Sequence, residues 1–378
     1  TEPTNESYES GKKALTEGGR VAHIKASIFP DDIAFLQYTG GTTGVAKGAM
    51  LTNLNMVANM QQASAWIKDG VDEGKDIIIT ALPLYHIFSL TANCLTFMKV
   101  GAENYLITNP RDMAGFVKEL KAVPFTAITG VNTLFVGLLN TPGFNEIDFS
   151  HLKLTLGGGM AVQKPVAERW KATTGTPLLE AYGLTETAPA VCINPINCLK
   201  YNGSVGLPVS STEVSIQDED GKILPQGESG ELCVRGPQVM KGYWNNEDET
   251  AKVMTDDGWF KTGDVAMMDK AGFFTILDRL KDMIVVSGFN VYPNEIEAII
   301  VDLEGVLEVG VVGEPHPNGG EIIKAVIVKK DQLLTEEIVI EHCRENLTRY
   351  KVPKIIEFKT ELPKTNVGKI LRRELKST

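Results

Sequence analysis

The chain has 378 residues, too many for one ordinary domain of roughly 100–200 residues, so two or three units are expected. Apolar residues at 43% and charged residues at 22% exclude a disordered, collagenous or disulfide-knotted chain. With 37 Lys and Arg against 48 Asp and Glu, the net charge of −11 excludes nucleic-acid binding driven by a bulk positive field.

The opening, TEPTNESYES, has neither a basic nor an apolar leader region, so no signal peptide is expected. Lacking a first Met, it reads as processed or as part of something longer. Over the first 200 residues, short apolar runs at 33–38, 76–82, 125–129, 152–158 and 178–183 predict buried strands. Helical patterns at 51–68, 110–122, 131–140 and 164–173 separate them, with Asn109 and Pro110 as an N-cap and N1 pair. This alternation predicts an α/β layered unit with a largely parallel sheet over 1–203. The uncharged run 77–98 is long enough to span a membrane, but Pro83, His86, Asn93 and its threonines make it strand, loop and helix.

From 204 to 278 the texture changes to short strands at 213–217, 231–235 and 273–277, punctuated by glycine turns, which predicts a small antiparallel barrel or sheet. Residues 279–378 then read as a compact α+β unit. Its expected strands are 283–286, 308–312, 322–328 and 354–358, with helices starting at Pro293 and Thr335. Residues 349–378 carry nine Lys and Arg against three Glu, a net of +6, which leaves −17 on the preceding 348. That polarity suits delivery of cations to an anionic ligand, and equally a solvated basic helix over 370–376 presenting Arg372, Arg373 and Lys376. The five cysteines (94, 192, 198, 233, 343) have no CxxC spacing and read as reduced thiols of a cytoplasmic protein.

The sharpest chemical signal is YTGGTTGVAKG, residues 38–48, directly after a strand. Successive glycines can turn backbone N–H groups inward as an anion nest, with the threonine hydroxyls adding donors and Lys47 adding charge. It is not a Walker A loop, because Val45 and Ala46 separate Gly44 from Lys47. Further on, Glu186 in YGLTET is a lone carboxylate among small and hydroxylated residues, suited to a hydrated Mg²⁺ or to capping a helix. Gly157, Gly158 and Gly159 end a strand, either as a turn or to let a flat group approach the backbone. There is no GxSxG elbow and no HExxH, and the histidines (23, 86, 151, 316, 342) are scattered. No side-chain nucleophile is implied.

The loop at 38–48 resembles the phosphate-binding signature of the adenylate-forming superfamily of acyl-CoA synthetases, luciferases and peptide-synthetase adenylation domains. YGLTET (182–187), GWFKTGD (258–264), DRLKDMIVVSGFNVYPNEIE (278–297) and LPKTNVGKILRREL (362–375) follow in that family's order. GWFKTGD and SGFNVYPNEIE are most similar to bacterial long-chain fatty-acid:CoA ligases. The resemblance implies the adenylate-forming fold, a large α/β domain with a small β-barrel subdomain followed by a mobile α+β C-terminal domain.

It also implies roles. Thr39, Gly40, Gly41, Thr42, Thr43, Gly44 and Lys47 would bind the phosphates of ATP, and Thr39 and Glu186 would hold Mg²⁺. Thr185 would hold the α-phosphate, and Gly183 would be among the ATP/AMP-binding residues. Tyr182 would stack on adenine, against Gly158 and Gly159, while Asp264 and Arg279 would hold the ribose unless they are simply a structural ion pair. Lys369 would be the catalytic lysine, and His86 an active-site histidine beside the acyl pocket or a merely buried one. Lys281 would be the hinge, and Gly288 would fall in the turn that lines the thiol-entry tunnel in the thioester-forming state.

The implied reaction is ATP-dependent activation of a long-chain fatty acid, then transfer to CoA. A carrier protein as acceptor, a luciferase-like oxygenase and a catalytically silent nucleotide-binding fragment share the same motifs. An apolar substrate implies transient contact with the inner membrane face, without an evident amphipathic anchor, and a homodimer is compatible with the family. The family carries a long portion ahead of the phosphate loop, whereas here 38 residues precede Thr39.

Overall fold

The structure is a computed structural model describing residues 11–20, 22, 25–39, 46–316 and 319–377. Its largest sheet has seven strands, in the spatial order Glu103–Leu106, Ile77–Thr80, Ala127–Gly130, Leu154–Gly158, Leu178–Gly183, Ala190–Ile193 and Leu207–Pro208. The first five run parallel, and each of the last two pairs antiparallel to its predecessor. Strands buried on both faces need continuous apolar sequence, which is why Ile77–Thr80 and Leu154–Gly158 read so plainly.

Helix Lys164–Thr174 shows how the layers lock. Pro165 fits its first turn, Gly175 ends it at φ +79°, and Trp170 is driven into the core. There the indole meets Phe135 edge-on at 4.8 Å and donates to Thr155 Oγ1 at 3.2 Å. That bond satisfies the one polar atom of the largest buried side chain.

Several boundaries differ from the sequence reading. The strand expected over 33–38 forms as Ile33–Tyr38, but most of it is exposed rather than buried, at the outer edge of a two-stranded ladder with Gly48–Thr52, which is itself bonded to 241–244. Helix Asn53–Ile67 starts two residues later than expected, because 48–52 is consumed by that ladder and Thr52 forms a capping box with Asn55. The pair Asn109–Pro110 caps nothing. The helix is Met113–Leu120, and Asp112 caps it by accepting from Gly115 N.

The four-stranded antiparallel sheet joins Glu213–Gln217, Ser229–Arg235, Phe260–Met268 and Phe274–Arg279. Between its middle strands lies helix Glu247–Val253, capped by Asn246 with three acids in its first turn, a start signal the sequence reading passed over. The small C-terminal unit packs helices Pro293–Val301 and Glu336–Asn346 on a sheet of Val306–Pro315, Glu321–Lys329 and Ile355–Lys359. The expected terminal helix over 370–376 is absent. Lys364 and Ile370 form a bridge, and one short 3₁₀ turn, Arg372–Glu374, follows.

The run 77–98 is a strand, a turn and a π-helical stretch (Phe88–Leu95), and among the described residues no helix is long and apolar enough to cross a membrane. All five cysteines are free.

Candidate active site

The parallel strands end with Gly130, Gly158 and Gly183 at one edge of the sheet, the edge where open α/β sheets hold ligands. The small unit lies over that edge. Between them is one cavity of about 1760 Å³, beyond the roughly 300–1,000 Å³ of an ordinary ligand pocket. It has room for more than one substrate.

The neck of the phosphate loop is closed by Thr39 N donating to Lys47 O at 2.8 Å, beside the Tyr38–Gly48 pair. Gly40, Gly41, Thr42, Thr43 and Gly44 lie outside the described residues. Lys47 forms a close ion pair with Glu249 and sits 5.0 Å from the centre of the Tyr243 ring. The Tyr243 hydroxyl in turn donates to Glu186 Oε1 at 2.8 Å. One tyrosine thus links the phosphate lysine to the expected metal carboxylate, and neither Tyr243 nor Glu249 was found from sequence. Each is a pair with a residue some 57 or 202 positions away, so no local signal marks it.

Asp264 and Arg279 lie side by side, and Tyr182 joins them. Arg279 Nε lies 2.6 Å from Asp264 Oδ1, and the Tyr182 hydroxyl donates to Asp264 Oδ2. The ion-pair alternative is therefore present as geometry. It does not exhaust the carboxylate, since each oxygen keeps a second lone pair for a hydroxyl donor. Burial pushes the Asp264 carboxyl up while Arg279 and Tyr182 oppose it, and burial beside Asp264 keeps the Tyr182 phenol protonated.

Lys369 reaches this centre from the small unit. Its Cε would stand 3.2 Å from a Cβ placed on Gly159, whose φ of +80° already requires glycine. Next to it, Gly368 O accepts from Thr133 Oγ1 at 3.0 Å, so the loop is docked on the large unit. Burial, with Arg279 nearby, lowers the Lys369 pKa to about 8, while Asp264 and Glu186 pull it back up. The ammonium is charged at neutral pH but poorly compensated, as a group awaiting an anion should be.

His86 is held at about 4 by burial and by the charge of Lys369, so it is neutral at pH 7. Its Nδ1 accepts from Phe88 N at 3.3 Å, which leaves the ring proton on Nε2 as a donor. Thr185, Gly183 and Lys281 also line the cavity. Gly288 does not. It turns an exposed hairpin between Ile284–Val286 and Phe289–Val291. Of the two readings of the basic terminus, the solvated one fails for Arg372, which is drawn inward to Asp278, Asn294 and Glu297, whereas Arg373 and Lys376 are exposed.

Sequence reading also missed Glu180, a buried carboxyl beneath the cavity. It accepts from Val162 N at 3.0 Å, and burial pushes it up to about 8. Because the folded pKa is raised, stability is full below about 4.5 and declines as pH rises toward 8. Glu180→Gln removes that slope, so relative to the parent it is expected to gain on the order of a few kcal/mol between pH 5 and 8. Denaturant unfolding at both pH values measures this, and a difference that does not change with pH would refute it.

A large cleft over a parallel sheet edge, with a lysine inserted from a small C-terminal unit, is the arrangement that family comparison can be set against. The AMP-binding enzyme model matches residues 2–244 and the AMP-binding enzyme C-terminal domain model matches 295–369. The chain belongs to the AMP-binding enzyme family and has the adenylate-forming fold, a large α/β domain with a small C-terminal one.

Within that family it is 58% identical over 367 residues to a long-chain-fatty-acid–CoA ligase of Escherichia coli O6:H1, covering 97% of this chain and 65% of that protein. The chain therefore spans about two thirds of the length of such relatives. ATP-bound MatB of Rhodopseudomonas palustris superimposes with a TM-score of 0.87 at 33% identity, covering 96% of this chain and 71% of MatB. Apo MatB gives 0.76 over the same coverage. MenE of Bacillus subtilis with ATP and magnesium gives 0.80 at 31% identity, covering 94% of this chain and 72% of MenE.

Proposed function

We infer that this chain carries the adenylating and thioester-forming machinery of an ATP-dependent long-chain fatty acid:CoA ligase. The observation that carries the reading is the placement of Lys369 against Gly159, facing Asp264, Arg279 and Glu186 in one cavity. The likeness to named long-chain ligases supports the substrate class and CoA as acceptor.

In the first step a carboxylate oxygen of the fatty acid attacks the α-phosphorus of ATP, and pyrophosphate leaves. Lys369 faces the charge that grows on the α-phosphate, in a site where water is largely displaced and a fixed ammonium acts strongly. Lys47, once released from Glu249, neutralises the departing phosphates. Asp264, Arg279 and Tyr182 fix the nucleoside, and the neutral His86 offers Nε2–H at the acyl side. Orientation and charge do the work.

Among the described residues no group of three or more His, Cys, Asp or Glu converges on a cation. A lone Glu186 with the Thr39 hydroxyl fits Mg²⁺, which keeps most of its waters. When bound it would supply charge neutralisation on the phosphates. In the second step the CoA sulfur attacks the acyl carbonyl and AMP departs, with the small domain turning about Lys281 to clear a path.

Fatty-acid-dependent exchange of labelled pyrophosphate into ATP, with Mg²⁺ and acids from short to long, tests the reading. It should be run on this chain and on a version extended to the relatives' length. Exchange favouring long acids is expected from the extended form. Silence from both would overturn it.

A further inference from the structure

Arg372 is the most heavily bonded cation among the described residues, and its partners fall into two sets. Within the small unit, its Nη2 meets both Glu297 oxygens at 2.9 Å and Asn294 Oδ1 at 2.6 Å, and Nε reaches Glu297 Oε1 at 3.2 Å. Glu297 also accepts from Val311 N at 2.8 Å, so this set belongs wholly to the C-terminal unit. Across the turn Leu280–Asp282, Nη1 donates to Asp278 Oδ1 at 2.8 Å, with Asp282 farther off at 3.6 Å.

Asp278 lies on the other body. Its strand, Phe274–Arg279, is laddered to Phe260–Met268 with Val265 opposite Asp278, in the large unit's antiparallel sheet. The carboxylate is 1% exposed, and its second oxygen accepts from Asn294 N at 2.8 Å, another bond crossing the same turn.

Lys369 is three residues ahead of Arg372. The stretch between them is stiffened by Leu371 N donating to Pro363 O and by the Lys364–Ile370 bridge. Fixing the guanidinium therefore fixes where the ammonium can reach.

We propose that Asp278 is a latch which, by capturing Arg372 and Asn294 across the 280–282 turn, holds the small domain in the orientation that inserts Lys369 into the adenylating site. Asp278 and Arg372 are positioning residues. They act through Lys369. The Glu297 contacts persist however the small domain turns, whereas the Asp278 contacts, with Asn294 Nδ2 donating to Leu277 O at 3.1 Å and Thr133 Oγ1 donating to Gly368 O at 3.0 Å, join the two units and depend on orientation. Parting the two leaves a carboxylate that must be rehydrated, which makes the held state discrete rather than graded. The proposal rests on the ligase reading, because the latch matters for a reaction that needs Lys369 in one step and elsewhere in the next.

The test has two arms. In the first, Lys369→Cys places a reporter thiol against Gly159, and its alkylation by a bulky maleimide is timed with and without Asp278→Ala. Cys343, buried in the small unit, and Cys233, buried in the large one, serve as folding controls. The reporter should react about ten times faster with Asp278→Ala while both controls stay silent. An unchanged rate overturns the latch, as does reaction of Cys343 along with the reporter, which would mean local unfolding.

In the second arm, with Lys369 intact and the chain extended to the relatives' length, Asp278→Ala should slow adenylate formation about ten- to hundredfold. Turnover of supplied acyl-adenylate with CoA should change less than about twofold. Equal loss in both steps overturns the latch. If the unsubstituted protein makes no adenylate from any acid, the ligase reading fails, and the thiol arm still decides the latch.

Discussion

Lys369→Ala is expected to slow adenylate formation by about 10²–10³, while thioester formation from supplied acyl-adenylate and CoA stays within about threefold of the parent. The asymmetry follows from where the ammonium sits. It is inserted from the small unit against Gly159, and burial with Arg279 nearby holds its pKa down to about 8. A cation that the protein's own carboxylates compensate poorly gains most when charge grows on the α-phosphate, so its worth is concentrated in the transition state of the first step.

The same pKa fixes a pH dependence. The active form is the protonated one, present below about 8 and lost as pH rises through it. Hence kcat/KM for adenylate formation should fall above about pH 8, with the limb absent in Lys369→Ala. Lys369→Arg tests charge against shape, because a guanidinium keeps the charge at all pH but cannot occupy the narrow space beside Gly159. Rapid-quench measurement of each half-reaction decides the matter. Equal loss of both steps would remove Lys369 from its role.

How much of this was legible depended on whether the cause was local. The strands at 154–158 and 178–183 and the helix at 164–174 announce themselves, because apolar runs, a Pro at the first turn and a closing Gly act within a few residues. The strand at 33–38 was legible as a strand but not as an exposed one. Apolar sequence says what a segment can bury, not what lies beside it. Asn109–Pro110 looked like a helix start, yet the backbone spends it on a turn and lets Asp112 cap the helix instead.

The site shows the same division. Glu186, Asp264, Arg279 and Lys369 stood out within recognisable segments. Tyr243, Glu249 and Asp278 did not, since each matters only through a partner distant in sequence. The solvated-helix reading of Arg372 fails for a related reason. Its spacing from Arg373 and Lys376 suits a solvated helix face, and only the three-dimensional fold brings Asp278 and Glu297 to it.

The second large effect is expected at Asp264. Its carboxylate is almost wholly buried, takes Arg279 Nε at 2.6 Å on one oxygen and the Tyr182 hydroxyl on the other, and retains lone pairs toward the cavity. Asp264→Ala leaves Arg279 without its near anion and Tyr182 without its acceptor. The KM for ATP should therefore rise about 10²-fold, with a smaller fall in kcat, since the ribose is held alike in ground and transition states. Arg279 is 46% exposed and can relax toward water, so the fold should survive.

The discriminating comparison uses 2′-deoxy-ATP. If Asp264 accepts the ribose hydroxyls, the parent should prefer ATP about tenfold and Asp264→Ala should not discriminate, because a site without the acceptor has nothing left unpaired by the missing hydroxyl. Asp264→Asn keeps an acceptor but loses the charge, and should retain part of the preference while weakening the hold on Arg279. If Asp264→Ala discriminates as well as the parent, Asp264 does not touch the ribose, and its work is to aim Arg279 alone.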